Sequence, residues 1–553
     1  MQLAPFRYRI YRDIWIASLV SNFGGLIQSV GASWLMVSLH ASPGVISLVQ
    51  AATTLPIMLF ALMAGAIADN ADRRKVMLSA QLFLFAVSVV LAVTSYFDAL
   101  TPVSLLAFTF LIGCGTAFNG PAWQSLVGEM VPRTEIQAAV ALNSVGFNLA
   151  RSVGPAIGGA IVASLGAVAA FSVNAVSYIG LLVVLSKWKP ATQPNPLPPE
   201  RLASAMGAGL KYVMMSPPIG VVILRGSAFG VAGIAVQALL PVVARDLVQG
   251  GPLTFGLLLG GFGIGAVGGA FLGGELRQRS VPAEVIIRLA FCGSAFSAAV
   301  IGTSPFASLS FAAMLVGGGS WVLALSGFNA SVQLSAPRWV VGRALALYQM
   351  ATFGGMAFGS WMWGYVADHL GVGSALLGSA IALMGGAALG WRFRVPDTAD
   401  MNLDPRGWDE PLISLDIRPR SGPIVVTIEY VIRQDDVIAF LNAMASRRRV
   451  RIRDGARNWT LLRDLSSPSI WIERYETPTW QEYIRHNKRL TQADIAISQA
   501  LRTLHQGDEP PRVRRLIERQ TTIGAAMDLP MEDHLPTRVH DGRDTLGRGD
   551  PHT

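Results

Sequence analysis

Long apolar runs separated by short polar loops fill the first 393 positions, and a different rhythm follows them. A membrane-spanning helix needs about 20 mainly apolar residues. Runs of that length recur over residues 14–39, 44–68, 76–96, 102–127, 137–164, 166–186, 218–243, 253–274, 284–303, 307–331, 342–366 and 372–392. The pattern predicts an all-α membrane protein of twelve spans, and an even count puts both ends of the bundle on one side. Beyond residue 423 the period changes. Ile424, Val426, Ile428, Tyr430 and Ile432 alternate as in a strand with one buried face, and Val437, Phe440, Leu441 and Met444 follow the spacing of an amphipathic helix. Strands over 459–465 and 470–475 flank Ser466-Ser467-Pro468, and one long helix is expected over 479–505.

The parts are then 1–190, a first six-helix half; 191–217, a central loop; 218–393, a second half; 394–422, a linker; 423–510, a soluble α+β domain; and 511–553, a polar tail read as disordered.

Charge sharpens this division. Only 14% of the 553 residues are charged, against roughly 25% in soluble domains. Residues 1–393 hold 20 Lys/Arg and 11 Asp/Glu, a balance of +9, while 394–553 hold 24 of each. The basic residues of the first part sit in alternate loops: Arg7, Arg9 and Arg12; Arg73, Arg74 and Lys75; Arg133; Lys187, Lys189, Arg201 and Lys211; Arg277 and Arg279; Arg338 and Arg343. The opposite loops hold Arg245. By the positive-inside rule both termini and the central loop are cytoplasmic, and the excess reads as orientation, with no nucleic-acid partner. Runs this long exclude a transmembrane β-barrel. The first run is long enough to span and is at once followed by another, so it reads as a helix and not as a cleavable signal. Cys114 and Cys292 lie inside apolar runs, without metal-ligand or disulfide spacing, and no cofactor is implied.

The halves repeat. Pro132-Arg133 and Pro337-Arg338 are 205 positions apart, and the same offset relates Ala139 to Ala344, Ala141 to Ala346, Leu142 to Leu347, Gly154 to Gly359 and Gly159 to Gly364. Two parallel six-helix halves around a cavity resemble the major facilitator superfamily. The stretch Gly65-Ala-Ile-Ala-Asp69-Asn-Ala-Asp-Arg73-Arg74 resembles that superfamily's loop motif G-x-x-x-D-R-x-G-R-R/K, departing at Asn70 and Asp72. Gly65 would allow close helix approach, Asp69 would cap or pair across the halves, and Arg73 and Arg74 would hold the loop at the surface. The rival account of this stretch is a basic anchor alone. Gly154-Pro155-Ala-Ile-Gly158-Gly159 resembles the antiporter motif G-P-x-x-G-G, a pliable stretch where a proline weakens the helix and glycines admit a neighbour. The opening Phe6-Arg-Tyr-Arg-Ile-Tyr-Arg-Asp-Ile-Trp15, the segment Asn119-Gly-Pro-Ala-Trp123-Gln124, and Val131-Pro-Arg133 with Ala141-Leu-Asn143 are similar to the transmembrane secretion effector branch, which includes the enterobactin exporter. That resemblance implies proton-coupled efflux of a siderophore or drug-like molecule across a bacterial inner membrane by alternating access. Uptake uses the same architecture.

Polar side chains at membrane depth are the candidates for cargo contact. Arg151 lies about 14 residues into its span, roughly 21 Å from the end, beyond easy snorkelling reach. Its alternative is a structural arginine bonded to carbonyls or asparagines. Arg225 and Arg288 sit within two turns of span ends and read as snorkelling residues. Asn22, Gln28, Asn119, Gln124, Asn148, Gln237, Asn329 and Gln333 could line a cavity with Trp34, Trp123, Trp321 and Phe147; interhelical hydrogen bonding is their other use. No Asp or Glu falls near mid-span, so proton coupling comes from the resemblance alone, with Asp13, Asp69 and Glu129 as the remaining acids. The tail domain is similar to a ferredoxin-like module of the small monooxygenase type, which forms dimeric barrels, and a homodimer through it is expected. An anchored enzyme using His486 with Trp459, Tyr475 and Trp480 is the rival reading, though a tether needs no duplicated bundle.

Overall fold

The computed structural model describes residues 4–70, 72–188, 202–337, 339–395, 408, 410–411, 413–415 and 417–518. The chain divides into two compact units, residues 1–336 with 340–400, and residues 337–339 with 401–553.

The first unit is helical throughout its described residues: α1 (Arg9–Ser38), α2 (Pro43–Asn70), α3 (Arg73–Tyr96), α4 (Pro102–Met130), α5 (Ile136–Lys187), α6 (Leu202–Met214), α7 (Pro217–Val242), α8 (Pro252–Gln278), α9 (Ala283–Thr303), α10 (Ala307–Ser335), α11 (Val341–Leu370) and α12 (Val372–Arg392). Among the described residues, ten helices are long and apolar enough to cross a membrane. α5 contains two of the expected spans in one run of 52 residues, broken at Gly166, whose φ of +79° is open to glycine. α11 falls outside the ten because its middle is rich in Gly, Ser, Trp and Tyr, which are only weakly apolar. α6 forms inside the stretch expected as a loop; its apolar residues gather on one side. Helix starts follow local chemistry. Asp72 accepts from the Lys75 amide at the start of α3, Thr101 and Ser104 cap α4 reciprocally, and Pro217 and Pro252 occupy the first turns of α7 and α8.

Lipid offers helices no hydrophobic reason to associate, so close packing and hydrogen bonds must hold the bundle. Gly24 of α1 lies against Ser177 and Asn174 of the second arm of α5. Beside it Gln28, Ser88, Asn174 and Tyr178 form a buried hydroxyl and amide network joining α1, α3 and α5. At one end of this half Tyr11 donates to the Ala139 carbonyl at 2.8 Å and Trp15 to that of Leu142 at 3.1 Å.

The second unit is a four-stranded antiparallel sheet with helices on one face. β1 (Ile424–Val431) is central, α13 (Val437–Arg453) follows, then β2 (Arg457–Arg463), β3 (Ile470–Thr477), α14 (Trp480–Lys488), α15 (Gln492–Leu504) and β4 (Arg512–Ile517), in sheet order β2-β3-β1-β4. Strict alternation along β1 buries Ile424, Val426, Ile428 and Tyr430 against Phe440, Met444 and Tyr475. Two expectations are corrected. The helix over 479–505 is two helices, because Thr491 and Asp494 cap a new start and end the first. The domain does not close at residue 510: β4 pairs with β1 from Ile424↔Ile517 to Glu429↔Arg512, inside the stretch read as disordered. Its run of arginines hid a strand that supplies the sheet edge.

Candidate transport site

The two six-helix halves of the first unit meet along two seams, α2 with α11 and α5 with α8. On the first seam, the Gly44 amide donates to Asp368 at 2.8 Å, the Ser42 hydroxyl donates to it at 3.1 Å, Gly364 lies against Ser47, and Gly354 against Met58. On the second, a Cβ at Gly159 would sit 2.7 Å from the Pro252 carbonyl oxygen and 3.0 Å from Gly256 Cα; one at Gly256 would sit 2.5 Å from the Pro155 oxygen. Further along, Gly260 faces Ser152 and Gly263 faces Arg151.

The Gly-Pro stretch therefore has two faces. Gly154 and Gly158 receive Leu26, Ile27 and Val30 of α1 within the same half, while Pro155 and Gly159 receive α8 of the other. The positions 205 residues on repeat this division: Gly359 meets Val231 of α7 in its own half, and Gly364 meets α2 across the seam. Both seams are thus lined by small residues that let backbones of the two halves approach closely.

Arg151 lies at the inner end of the second seam. Its guanidinium carbon sits 5.2 Å from the ring centre of Phe262 on α8, so this cation–π contact crosses between the halves. Phe262 is itself fixed by Trp321 at 6.1 Å, edge to face. Among the described residues no hydrogen bond or ion pair reaches the Arg151 guanidinium.

The other candidates do not converge on it. Gln28 belongs to the buried network beneath α1; Asn119 accepts from Gln81 at 3.0 Å; Asn148 donates to the Ser144 carbonyl at 2.8 Å, one turn back on its own helix; Gln333 donates to Asn329. Asn22 is half-buried on α1, and Trp34 stacks on Phe255 across the halves at 6.3 Å. The side chains of Asp69, Asn70, Gln124 and Arg133 lie outside the described residues. Of the loop motif, Arg73 bonds Glu129 of α4 at 2.7 Å, and Arg74 bonds the Leu185 and Ser186 carbonyls at 2.7 and 2.8 Å, holding the last turn of α5. A Cβ at Gly65 would meet nothing within 4 Å, so in this conformation close approach does not explain that glycine. Asp72, where the motif has glycine, is the cap of α3. Asp13 stands at one end of an apolar cleft of about 770 Å³ between α1 and the second arm of α5, paired with Arg9 and Arg12.

Arg225 overturns the snorkelling account. It is fully buried and places one guanidinium nitrogen 2.8 and 2.7 Å from the two Glu284 oxygens and 3.3 Å from the Phe393 carbonyl. Arg288 reaches the same carboxylate at 2.6 Å, and the Val395 amide donates to it at 2.9 Å. Glu284, overlooked among the acids, thus ties α7, α9 and the end of α12 together. Its signal in the sequence was the i, i+4 spacing to Arg288.

In the tail, His486 does not face a pocket. It is 1% exposed, lies 3.0 Å from an Arg451 nitrogen, and packs on Tyr475. Arg451 in turn bonds Glu473 at 3.2 Å, which accepts from Trp459 at 3.1 Å and from Tyr430 at 3.3 Å. Burial alone would raise the Glu473 carboxyl, but Arg451 and Arg447 more than offset it and hold it below its ordinary value. Burial first and Arg451 second push His486 well below 6.5, so it is neutral. Trp480 is buried against Tyr483.

The family described as transmembrane secretion effector matches over residues 1–522. The chain belongs to that transporter family. Its relatives include the multidrug efflux pump Tap of Mycobacterium tuberculosis, 25% identical over 407 residues, 71% of this chain and 95% of that protein. The enterobactin exporter EntS of Escherichia coli is 26% identical over 330 residues, 58% of this chain and 73% of that protein. The staphyloferrin A transporter of Staphylococcus aureus is 28% identical over 171 residues, covering 31% of this chain and 43% of that protein. A bacterial homologue of the lysosomal transporter Spinster shares the fold, with a TM-score of 0.55 at 15% identity over 70% of this chain and 97% of that one. A secretion effector of this kind is a multi-pass membrane transporter and not an enzyme.

Proposed function

We propose that the chain is a secondary active exporter that moves a small amphipathic molecule, siderophore or drug-like, out of a bacterial cell by rocking its two halves. The observation that carries this reading is the division of the Gly-Pro stretch between an intrahalf face and a seam, repeated 205 residues on. The relatives, a multidrug efflux pump and an enterobactin exporter, support the direction and the cargo class.

The bundle is read as twelve spans, with α5 supplying two and α11 the one outside the ten, grouped as residues 1–190 and 218–393 around the central loop. Basic loops place both termini and α6 on the cytoplasmic side of the inner membrane, so the seam end holding Gly44 and Asp368 faces outward. Arg151 is assigned to the cargo path, with Asn22 as a further candidate, and the proton gradient is the driving force. The tail, with the strand order of a ferredoxin-like module, serves as a dimerising or regulatory domain. Accumulation of a fluorescent drug or a siderophore in cells with and without the protein, each with and without an uncoupler, tests this. Lower accumulation with the protein, abolished by the uncoupler, is expected. Higher accumulation would mean uptake.

A further inference from the structure

The bundle draws two arginines out of solvent, Arg225 fully and Arg151 in part, and the chain treats them differently. Arg225 receives a counter-charge: one guanidinium nitrogen meets both oxygens of Glu284 and the Phe393 carbonyl, and the ring of Phe291 lies at 5.5 Å, while its Nε and second terminal nitrogen are buried without hydrogen bonds. A counter-charge is what a buried structural guanidinium requires, because a buried charge without a partner costs several kcal/mol. Arg151 receives a ring and nothing else among the described residues. The ring attracts the cation yet leaves all five N–H donors unused.

Position adds a second argument. Phe262 is anchored in the other half, by Trp321 and against Gly317. The Arg151–Phe262 contact therefore lasts only while this seam is closed, and any opening at this depth deprives the guanidinium of its one partner. A bound group with negative charge would replace it.

Resting on the exporter reading, we propose that Arg151 is the anion-recognition point of the cargo path, and that the cargo is an organic anion, a carboxylate or phenolate, carrying an aromatic or apolar body. The guanidinium fork takes the anionic oxygens pairwise and the adjoining face of Phe262 takes the apolar body. A cationic cargo would meet like charge here; among the described residues no carboxylate pairs with Arg151, and Glu284 is already shared by Arg225 and Arg288.

Fluorescein and rhodamine 123 share one xanthene scaffold with opposite charge, and their binding to the purified full-length protein in detergent can be followed by anisotropy. Fluorescein should bind at least tenfold more tightly, since hydrogen bonds to a charged group distinguish partners by about that factor or more. Unlabelled benzoate should displace it, and benzylamine should not. Arg151→Gln should remove the preference and Arg151→Lys should keep part of it. Equal or tighter rhodamine binding, displacement by benzylamine, no fluorescein binding, or an unchanged preference in Arg151→Gln would each overturn the proposal. The benzoate arm uses the unmutated protein, so the test survives a variant that fails to fold. Export is read separately in dye-loaded cells: equal clearance with and without the protein would sink the exporter reading, while rhodamine export without fluorescein export would leave it standing and sink the anion assignment.

Discussion

The membrane bundle and the tail domain close their interiors by opposite means. In the bundle, helices come together over glycine, with Gly24 against Ser177 and Gly159 against Gly256, and the buried hydrogen bonds of the first half join neutral groups, Gln28, Ser88 and Asn174. In the tail, a fully buried Glu473 sits among Arg451, Arg447, Trp459 and Tyr430 beneath an apolar sheet face. The surrounding solvent accounts for the difference. Water drives the tail's apolar residues inward strongly enough to carry the desolvation of a charged cluster. Lipid supplies no such drive, so the bundle relies on close approach and inexpensive polar pairs. Among the described residues its buried charged knot, Arg225 with Glu284, lies where α9 begins, at the edge of the span.

The comparison breaks most visibly at Glu473. Glu473→Gln should destabilise the tail by about 3–5 kcal/mol, because two arginines are left buried without a counter-charge. Chemical unfolding of a segment spanning residues 422–518 would show it, and a loss below about 1 kcal/mol would mean that the cluster is already solvated. The same segment should be soluble and folded, whereas one ending at residue 506 should not, since it lacks β4.

Acid gives the second contrast. His486 is held below 6.5 in the folded tail, so the unfolded chain takes up the extra proton first and stability falls as pH drops below 6.5, by about 1.4 kcal/mol per unit. Asp454 runs the other way. Burial raises it to about 6, so falling pH between about 6 and 3.8 restores stability and offsets the histidine. Below about 4.5 the depressed Glu473 adds a further loss. The tail's unfolding free energy should therefore drop just below pH 6.5, level off, and drop again below pH 4.5. His486→Asn should remove the first drop and turn the level stretch into a rise as pH falls below about 6.

The smallest effect belongs to the bundle's neutral network. Gln28→Leu should cost about 0.6 kcal/mol, and no more than about 1.7, measured by unfolding in mixed micelles. A cost of 3 kcal/mol would show that neutral pairs in lipid are as demanding as the tail's charges.

What the sequence revealed follows the same physical line. Apolar runs, basic loops and the 205-residue offset are set by lipid and by duplication, and both leave regular periods. Arg151 was visible because a charge inside an apolar run is costly. Glu284 was not, since at the head of α9 it reads as an ordinary interfacial acid until α7 and α12 fold against it. The separation of one apolar stretch into runs over 137–164 and 166–186 anticipated the break at Gly166. In β4, exposed arginines on both sides of the edge strand erased the alternation that made β1 legible. The polar residues expected to line one cavity do not converge, because Gln28 and Asn148 spend their hydrogen bonds on neighbours.

The account depends on the two halves separating at the end where Ser42 and Gly44 meet Asp368. The most direct measurement joins Ser42→Cys with Asp368→Cys and follows export before oxidation, after it, and after reduction. Oxidation should stop export by the double variant and reduction should restore it, with each single variant unaffected. Full export by the cross-linked protein would contradict the rocking of halves about these seams.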